Sequence, residues 1–155
     1  VDMLCYLLGK AKSVTGFIET SGRQIEVEDT ACAAVRFESG VIGTIDASTC
    51  CAPGFPQRIV ITGEKGRIAT QDDYIVEWTL PTPCRIEIGA CAGGSGSGDP
   101  KAIFMENHIR QFRNFAASLL HGEPLNSDAQ AGKLPLEIIL GIYQSSREGK
   151  TILCE

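Results

Sequence analysis

The sequence has little of what most catalytic and metal sites are made from. It contains two histidines, His108 and His121, and none of its seven cysteines stand in a C-x-x-C spacing. A structural zinc site gathers Cys and His ligands at short spacings, so this pattern does not favour one. No G-x-S-x-G motif is present either, which excludes the nucleophile elbow of the α/β-hydrolases.

The sequence also lacks an excess of basic residues and any long apolar run. The chain has 19 acidic and 14 basic residues in 155, for a formal net charge of -5. Nucleic acids and anionic membranes attract clustered Lys and Arg, so we expect neither as a partner. No apolar run approaches the roughly 20 residues that cross a bilayer. The first residue is Val1 and no signal sequence is readable there, so we interpret the chain as a piece of a longer protein.

The cysteines are odd in number, so they cannot all pair within the chain. Most stand in apolar runs, where a free Cys behaves as a small buried hydrophobe. We therefore expect reduced core cysteines in a cytoplasmic protein, with a disulfide or a metal site as the alternative. The adjacent pair Cys50 and Cys51 is interpreted as a strand end with one side chain facing each way.

The chain begins with a predicted apolar helix over residues 2–8 that ends at Gly9. Strand patterning follows up to about residue 90, and the C-terminal part is mainly helical. Period-two patterning predicts strands over residues 14–20, 31–37, 41–49, 58–62 and 67–70, with weaker ones over 73–79 and 85–89 and a last one over 151–154. The second and third form a hairpin around Gly40. Its core face is predicted to carry Ala31, Ala33, Val35 and Phe37 opposite Val41, Gly43, Ile45 and Ala47. Consecutive strands without intervening helices predict a largely antiparallel sheet.

Two long helices are predicted after the strands. The first covers residues 104–121 and carries one apolar face, made of Ile109, Phe112, Phe115, Ala116, Leu119 and Leu120. The second begins after Ser127 as N-cap, ends at Gly149, and has Pro135 deep enough to predict a kink or a late start. The fold class is therefore α+β, an open antiparallel sheet with helices on one face, in a single domain over residues 1–155.

A Gly/Ser stretch, residues 90–100, separates the two regions. Gly94, Gly96 and Gly98 do not form G-x-G-x-x-G, and the surrounding strands are not predicted to be parallel. We interpret this stretch as a flexible linker. His108, near the start of the first long helix, is a candidate catalytic or substrate-binding residue, and an ordinary helix position is the alternative. By their chemistry alone, the residues predict no self-sufficient active site.

Several segments, in their order and spacing, resemble the C-terminal domain of the Gfo/Idh/MocA oxidoreductases, the relatives of glucose–fructose oxidoreductase and inositol dehydrogenase. They are residues 2–9, 27–31, 36–45, 53–66, 122–124, 136–139 and 142–150. The resemblance implies a parent enzyme in which a Rossmann domain binds NAD or NADP and this chain supplies an open sheet, walls of the substrate pocket and the oligomer interface. It also implies oxidation of a sugar, polyol or cyclitol hydroxyl.

The family's catalytic lysine and histidine would both lie outside this chain, the histidine three residues before the position of Asp2. The resemblance implies that Asp2 contacts a substrate hydroxyl or orients that histidine, and a polar helix-end residue is the alternative. It places Phe55, Gln57 and Arg58 at the pocket, although Arg58 could instead pair with an acidic residue on a neighbouring strand. The chain alone is predicted to be inactive and to bind no cofactor.

Two non-enzymatic functions remain as alternatives to the dehydrogenase. The small outer face of the hairpin, which carries Cys32, Ala34, Thr44 and Ser48, is suited to sheet-on-sheet packing in a homodimer or tetramer. The chain would then be a non-catalytic assembly module. The other reading is a free-standing domain that binds a small molecule such as a polyol.

Overall fold

In the computed structural model, the chain is described at residues 1–51, 54–72, 74–86, 88–89 and 105–154. The elements follow the predicted order: α1 (Asp2–Leu8), β1 (Ala11–Glu19), β2 (Thr30–Phe37), β3 (Ile42–Ser48), β4 (Arg58–Gly63), β5 (Gly66–Gln71), β6 (Tyr74–Trp78), α2 (Met105–His121), α3 (Ala129–Glu148) and β7 (Ile152–Leu153). They divide into two compact units, Val1–Cys50 with Asn107–Glu155, and Cys51–Glu106.

The first unit contains an antiparallel sheet with the strand order β3-β2-β1-β7. The predicted hairpin of β2 and β3 is confirmed, and it turns at Gly40, whose φ of +87° favours glycine. Its register pairs Ala33 with Ile45 and Val35 with Gly43. Ala33, Val35 and Phe37 are buried, which confirms the core face on β2. On the other side of the hairpin Gly43 and Ile45 are only half-buried and Val41 and Ala47 are exposed, so that half of the predicted face is not fully covered.

The core of this unit lies between that sheet face and two helices. Cys5 of α1 and Ile138 and Ile142 of α3 pack with Val14 and Phe37 of the sheet. Helix α3 approaches β1 very closely at Gly141, where an added Cβ would lie 2.5 Å from Cγ1 of Val14. A larger residue there would have to push the helix off the strand.

The second unit contains a separate antiparallel sheet, β4-β5-β6. The α+β class is thus confirmed, but the strands form two sheets, which strand patterning did not predict. The weakly predicted strand over 85–89 is wrong where it is described: residues 85, 86, 88 and 89 are not in a strand. A single backbone bond, from Gly89 N–H to the carbonyl of Ile75 (3.2 Å), attaches this stretch to β6, too few to extend a ladder.

The predicted helices are confirmed with two corrections at the start of α3. Its N-cap is Asp128 rather than Ser127, because the Asp128 carboxylate accepts from the Ala131 N–H at 2.8 Å. The helix begins at Ala129 and runs through Pro135, so the predicted late start is wrong. Gly149 ends the helix in the left-handed region (φ 64°), as predicted.

Burial adds one observation and one correction. The apolar face predicted for α2 is largely exposed: Phe112, Leu119 and Leu120 are 72–75% exposed. Among the six cysteines in the described part of the chain, all are free, yet only Cys5 is buried, and Cys32, Cys50 and Cys51 are exposed. The Gly/Ser stretch over 90–100 lies outside the described residues. Within the described ranges, no helix is both long and apolar enough to span a membrane.

Candidate functional site

Two of the five predicted site residues lie on helices of the first unit. Asp2 is the first residue of α1, follows the N-cap Val1 and is exposed. Its carboxylate is in the first turn, where the positive end of the helix dipole favours negative charge. His108 is exposed in the first turns of α2. No hydrogen bond or ion pair of the described residues joins Asp2 to His108, so the two act as separate candidates.

The other three predicted residues are brought together in the second unit, where the chain enters β4. Phe55 is 68% exposed, and Gln57 and Arg58 are exposed beside it. The backbone of Gln57 is fixed on both sides: its N–H donates to the Asp72 carboxylate (3.2 Å) and its carbonyl accepts from the Asp72 N–H (2.9 Å). Asp72 has a φ of 48°, a turn conformation that Asp tolerates better than most residues. This turn presents Phe55 and Arg58 to solvent on a fixed backbone.

A buried carboxylate that was not among the predicted site residues organises the loop between β1 and β2. Asp29 is 1% exposed, and its two oxygens accept from the N–H groups of Ser21 (3.2 Å), Gly22 (2.8 Å) and Arg23 (2.9 Å). The hydroxyl of Thr30 donates to the same carboxylate at 3.1 Å. One side chain therefore satisfies three consecutive backbone donors and fixes the start of the loop.

The hydrogen bonds of Asp29 also determine its ionisation. Burial acts to raise the pKa of this carboxyl, because it disfavours the charged form. The N–H groups of Gly22 and Ser21, the Cys50 thiol and the N–H of Arg23 act in the opposite direction and outweigh burial, so the pKa lies well below its usual range. Asp29 is a structural anion and is not available as a general base.

The same loop meets α3 at a second polar contact. The hydroxyl of Tyr143 donates to the Glu28 carboxylate at 2.6 Å, and this contact, with partial burial, raises the pKa of Tyr143. A shallow groove of about 370 Å³ opens here, lined by Ile18, Glu19, Thr20, Glu26, Val27, Glu28 and Tyr143. Its three carboxylates would attract cations or hydroxyl donors, and the groove differs from the places where the resemblance put the pocket.

Two serines of α3 bond to the free edge of β1. Strand β7 pairs with β1 only at Ser13 and Val14. Beyond that point, the N–H of Gly16 donates to Oγ of Ser145 (3.0 Å) and the N–H of Ile18 donates to Oγ of Ser146 (3.2 Å). The Ser145 hydroxyl donates in turn to the carbonyl of Lys150 (2.7 Å). The helix thus takes the place of a neighbouring strand.

Sequence reasoning missed this polar framework although parts of its signal were visible. Glu28 and Asp29 fell inside a segment that carried the family resemblance, but the resemblance gave no reason for the acidic pair. The run Ser21-Gly22-Arg23 before a polar stretch is typical of a turn that needs a side-chain acceptor. The partnership of Ser145 with Gly16 spans 129 positions and has no local signal.

The described residues do not fit a dinucleotide or a metal. A dinucleotide fold needs parallel strands joined through a Gly-rich turn and a helix, and every strand pairing recorded here is antiparallel. No group of three or more His, Cys, Asp or Glu side chains in the described part of the chain is placed to hold a metal ion.

Comparison with known proteins gives the context for this arrangement. Residues 1–69 match the family model described as the GFO/IDH/MocA C-terminal domain. The chain is 28% identical to a myo-inositol 2-dehydrogenase of Thermotoga maritima, over 99% of this chain and 46% of the relative. The chain therefore spans less than half of that protein.

Solved structures extend the likeness to nearly the whole chain. The WlbA dehydrogenase of Bordetella pertussis, in complex with NADH and UDP-GlcNAcA, matches 99% of this chain and 45% of its own at 26% identity and a TM-score of 0.82. The WlbA dehydrogenase of Chromobacterium violaceum, in complex with the same two ligands, matches 99% of this chain and 43% of its own at 23% identity and a TM-score of 0.76. The second likeness supports the fold.

Proposed function

We propose that the chain is the substrate-side half of a nicotinamide-dependent oxidoreductase, because residues 1–69 match the model of the GFO/IDH/MocA C-terminal domain. The parent enzyme oxidises a hydroxyl of a sugar, polyol or cyclitol and passes the hydride to NAD or NADP. These residues form part of the substrate pocket and the oligomer interface, and the cofactor is held by the other half of the parent.

One observation carries this proposal: 99% of the chain superposes, at a TM-score of 0.82, on part of a dehydrogenase bound to NADH and a sugar nucleotide. The curated relative is named for myo-inositol, a cyclitol. A hydroxylated ring is common to both, and this supports the substrate class. The antiparallel strand pairings support a division of labour in which hydride transfer depends on residues outside this chain.

Within the chain, we assign substrate contact to Asp2, Phe55, Gln57, Arg58 and His108. The exposed carboxylate of Asp2 can accept a hydrogen bond from a substrate hydroxyl, and the guanidinium of Arg58 can donate to a hydroxyl or an acid group. Phe55 offers an apolar ring surface for the C–H face of a sugar. Positioning of this kind contributes to the rate by holding the substrate in a reactive geometry.

The test begins with the mass of the protein in its source cell, detected with an antibody against this segment. A mass well above 16.6 kDa supports a longer parent, and a mass near 16.6 kDa overturns the proposal. The full-length protein is then assayed for NAD and NADP reduction with myo-inositol and related polyols. In that enzyme, Asp2→Asn is expected to lower kcat/KM by about tenfold or more. The control Glu38→Gln, an exposed turn residue, should leave kcat/KM unchanged, and equal effects of the two would contradict the role of Asp2.

A second candidate function, a homo-oligomeric assembly module, is favoured by the outer face of the four-stranded sheet. Small side chains fill its centre, where Thr15, Ala34 and Thr44 lie in one row. Larger residues surround them: Phe17, Ile42 and Leu153 are 66–74% exposed, and the charged Arg36 and Asp46 lie exposed on the same face. A face with small residues at its centre allows a second copy to approach closely, as in a symmetric pair.

The assembly candidate is tested by Thr44→Arg, which places a charge at the centre of the outer face. The expected result is a shift from dimer or tetramer to monomer in sedimentation analysis. Thr62→Arg, on an exposed position of β4, is the matched control and should leave the oligomer intact. A Thr44→Arg protein with unchanged mass would exclude this face. The free-standing binding reading predicts instead a thermal shift with polyols at a native mass near 16.6 kDa.

A further inference from the structure

Helix α2 turns its bulky apolar side toward solvent. We call this side the α2 apolar face and define it by Ile109, Phe112, Phe115, Leu119 and Leu120, which are 39%, 74%, 54%, 72% and 75% exposed. Their spacing places them along one side of the helix over three turns. A contiguous exposed patch of large apolar side chains is typical of a surface that another body covers.

The side of α2 opposite the apolar face is made of smaller and more polar residues. Asn114, Ala117 and Ser118 are the half-buried positions there, at helical spacing. No helix or strand among the described residues packs extensively against α2, so its large apolar side chains are not covered by those elements.

Two hydrogen bonds hold α2 in this orientation. The side-chain amide of Asn114 donates to the carbonyl of Pro124 at 3.1 Å, and its oxygen accepts from the N–H of Asn126 at 2.9 Å. Both partners belong to the connection between α2 and α3. A rotation of α2 about its axis would carry Asn114 away from this connection and break both bonds.

We propose that the α2 apolar face is the docking surface for the half of the parent enzyme that lies outside these 155 residues. The inference rests on the proposed function. The length of the relatives indicates what covers the α2 apolar face. The part that matches this chain is 46% of the myo-inositol 2-dehydrogenase and 45% of the WlbA dehydrogenase. More than half of such a chain remains to be placed, and two domains of one chain keep a fixed relative position where their interface is large and hydrophobic.

The outer face of the sheet is a separate surface with a different role. Its centre is made of small side chains, which allows close approach of a second copy, whereas the α2 apolar face is a ridge of large side chains. A ridge is matched by a groove, and symmetric pairing of two ridges leaves gaps. Shape therefore favours a different partner for each surface.

The experiment places a photoreactive benzoylphenylalanine at position 112 of the full-length protein and identifies the peptide captured on irradiation. The expected adduct forms within one molecule and contains a peptide from outside the 155 residues. The matched control carries the same group at Phe17, which is similarly exposed on the outer face, and should capture a second copy if that face is the oligomer interface.

Each other outcome overturns the inference. An adduct between two copies at position 112 would assign the face to an oligomer contact. An adduct with residues 1–155 of the same molecule, or no adduct, would show that the other half does not cover it. If the same preparation reduces NAD or NADP with a polyol, these results overturn only the docking surface and leave the proposed function supported. If the native protein has a mass near 16.6 kDa, the proposed function and the docking surface fall together.

Discussion

The bond between α3 and the free edge of β1 can be tested by one substitution, Ser145→Ala. Oγ of Ser145 accepts from the N–H of Gly16 (3.0 Å) and donates to the carbonyl of Lys150 (2.7 Å), and the side chain is 2% exposed. Alanine removes both bonds while leaving almost no cavity. The N–H of Gly16 then stays buried under the helix without an acceptor.

The magnitude follows from the environments of the two partners. A buried donor left unsatisfied costs about 1–3 kcal/mol, whereas a donor or acceptor that reaches water costs little. Gly16 is buried and Lys150 is exposed, so the Gly16 N–H should account for most of the effect. Ala stabilises a helix interior by about 0.5 kcal/mol relative to Ser, which opposes the loss. The expected net destabilisation is about 0.5–2.5 kcal/mol.

Ser146→Ala is the matched control. Ser146 is the next residue in the same helix, so the gain in helix propensity is the same. Its single bond, from the N–H of Ile18 at 3.2 Å, is only partly buried. The expected loss is about 0.5 kcal/mol or less after the propensity gain. The difference between the two variants therefore isolates the buried bond at Gly16.

Native-state amide hydrogen exchange measures the effect where it arises. The opening free energy of the β1 amides, compared between the two variants and the parent protein, should fall in Ser145→Ala and hardly change in Ser146→Ala. Urea unfolding gives the global value. If Ser145→Ala is as stable as Ser146→Ala, the hydroxyl is not what satisfies the edge of β1, and the argument for α3 as a substitute strand is refuted.

Three further predictions concern the same packing. Gly141→Ala should destabilise the protein by about 1–3 kcal/mol because the added Cβ would meet Val14. Its control, Gly132→Ala, lies in the same helix with open space around it and should stabilise by up to about 1 kcal/mol. Comparable urea midpoints for the two variants would contradict the close contact at Gly141. Asp29→Asn should destabilise the protein at neutral pH. Because the native pKa of Asp29 is depressed, the stabilisation from its carboxylate is present above the unfolded pKa of about 3.9 and is lost as the pH falls below that value. The difference in unfolding free energy between the parent protein and Asp29→Asn should therefore become smaller in acid, and a difference that stays constant from pH 7 to 3 would refute the ionised state. Tyr143→Phe should lower the unfolding free energy in urea by about 1 kcal/mol because it removes the hydrogen bond to Glu28. The same substitution should cost less in a Glu28→Gln background, whereas additive effects would mean that the two side chains do not interact.

Local patterning in the sequence predicted the elements well. The alternation over β2 and β3, with Gly40 between them, specified the hairpin and its buried face, because strand periodicity and turn chemistry are properties of neighbouring residues. Gly149 marked the end of α3 for the same reason. The N-cap was displaced by one residue since Ser127 and Asp128 are both good caps, and only the backbone geometry selects which one reaches the Ala131 N–H.

The candidate site was less accessible to this reasoning. Phe55, Gln57 and Arg58 were named through family resemblance, and the structure brings these three together, while Asp2 and His108 lie on other elements. Their roles in substrate contact stay predictions. The loop framework of Asp29, Glu28 and Tyr143 was missed because its partners are far apart in sequence, and no local pattern states which donor a carboxylate will meet.

What the sequence by itself determined is the order of helices and strands, the α+β class and the core face of the first hairpin, since each depends on a repeat or a turn a few residues long. Tertiary structure alone decided which apolar faces are covered. The apolar side of α2 has the spacing of a core face in sequence, yet Phe112, Leu119 and Leu120 on it are exposed, while Asn114 on the opposite side bonds to the following connection. Periodicity shows that a helix has an apolar side; only the contacts of the folded chain determine whether its partner lies within the chain or outside it.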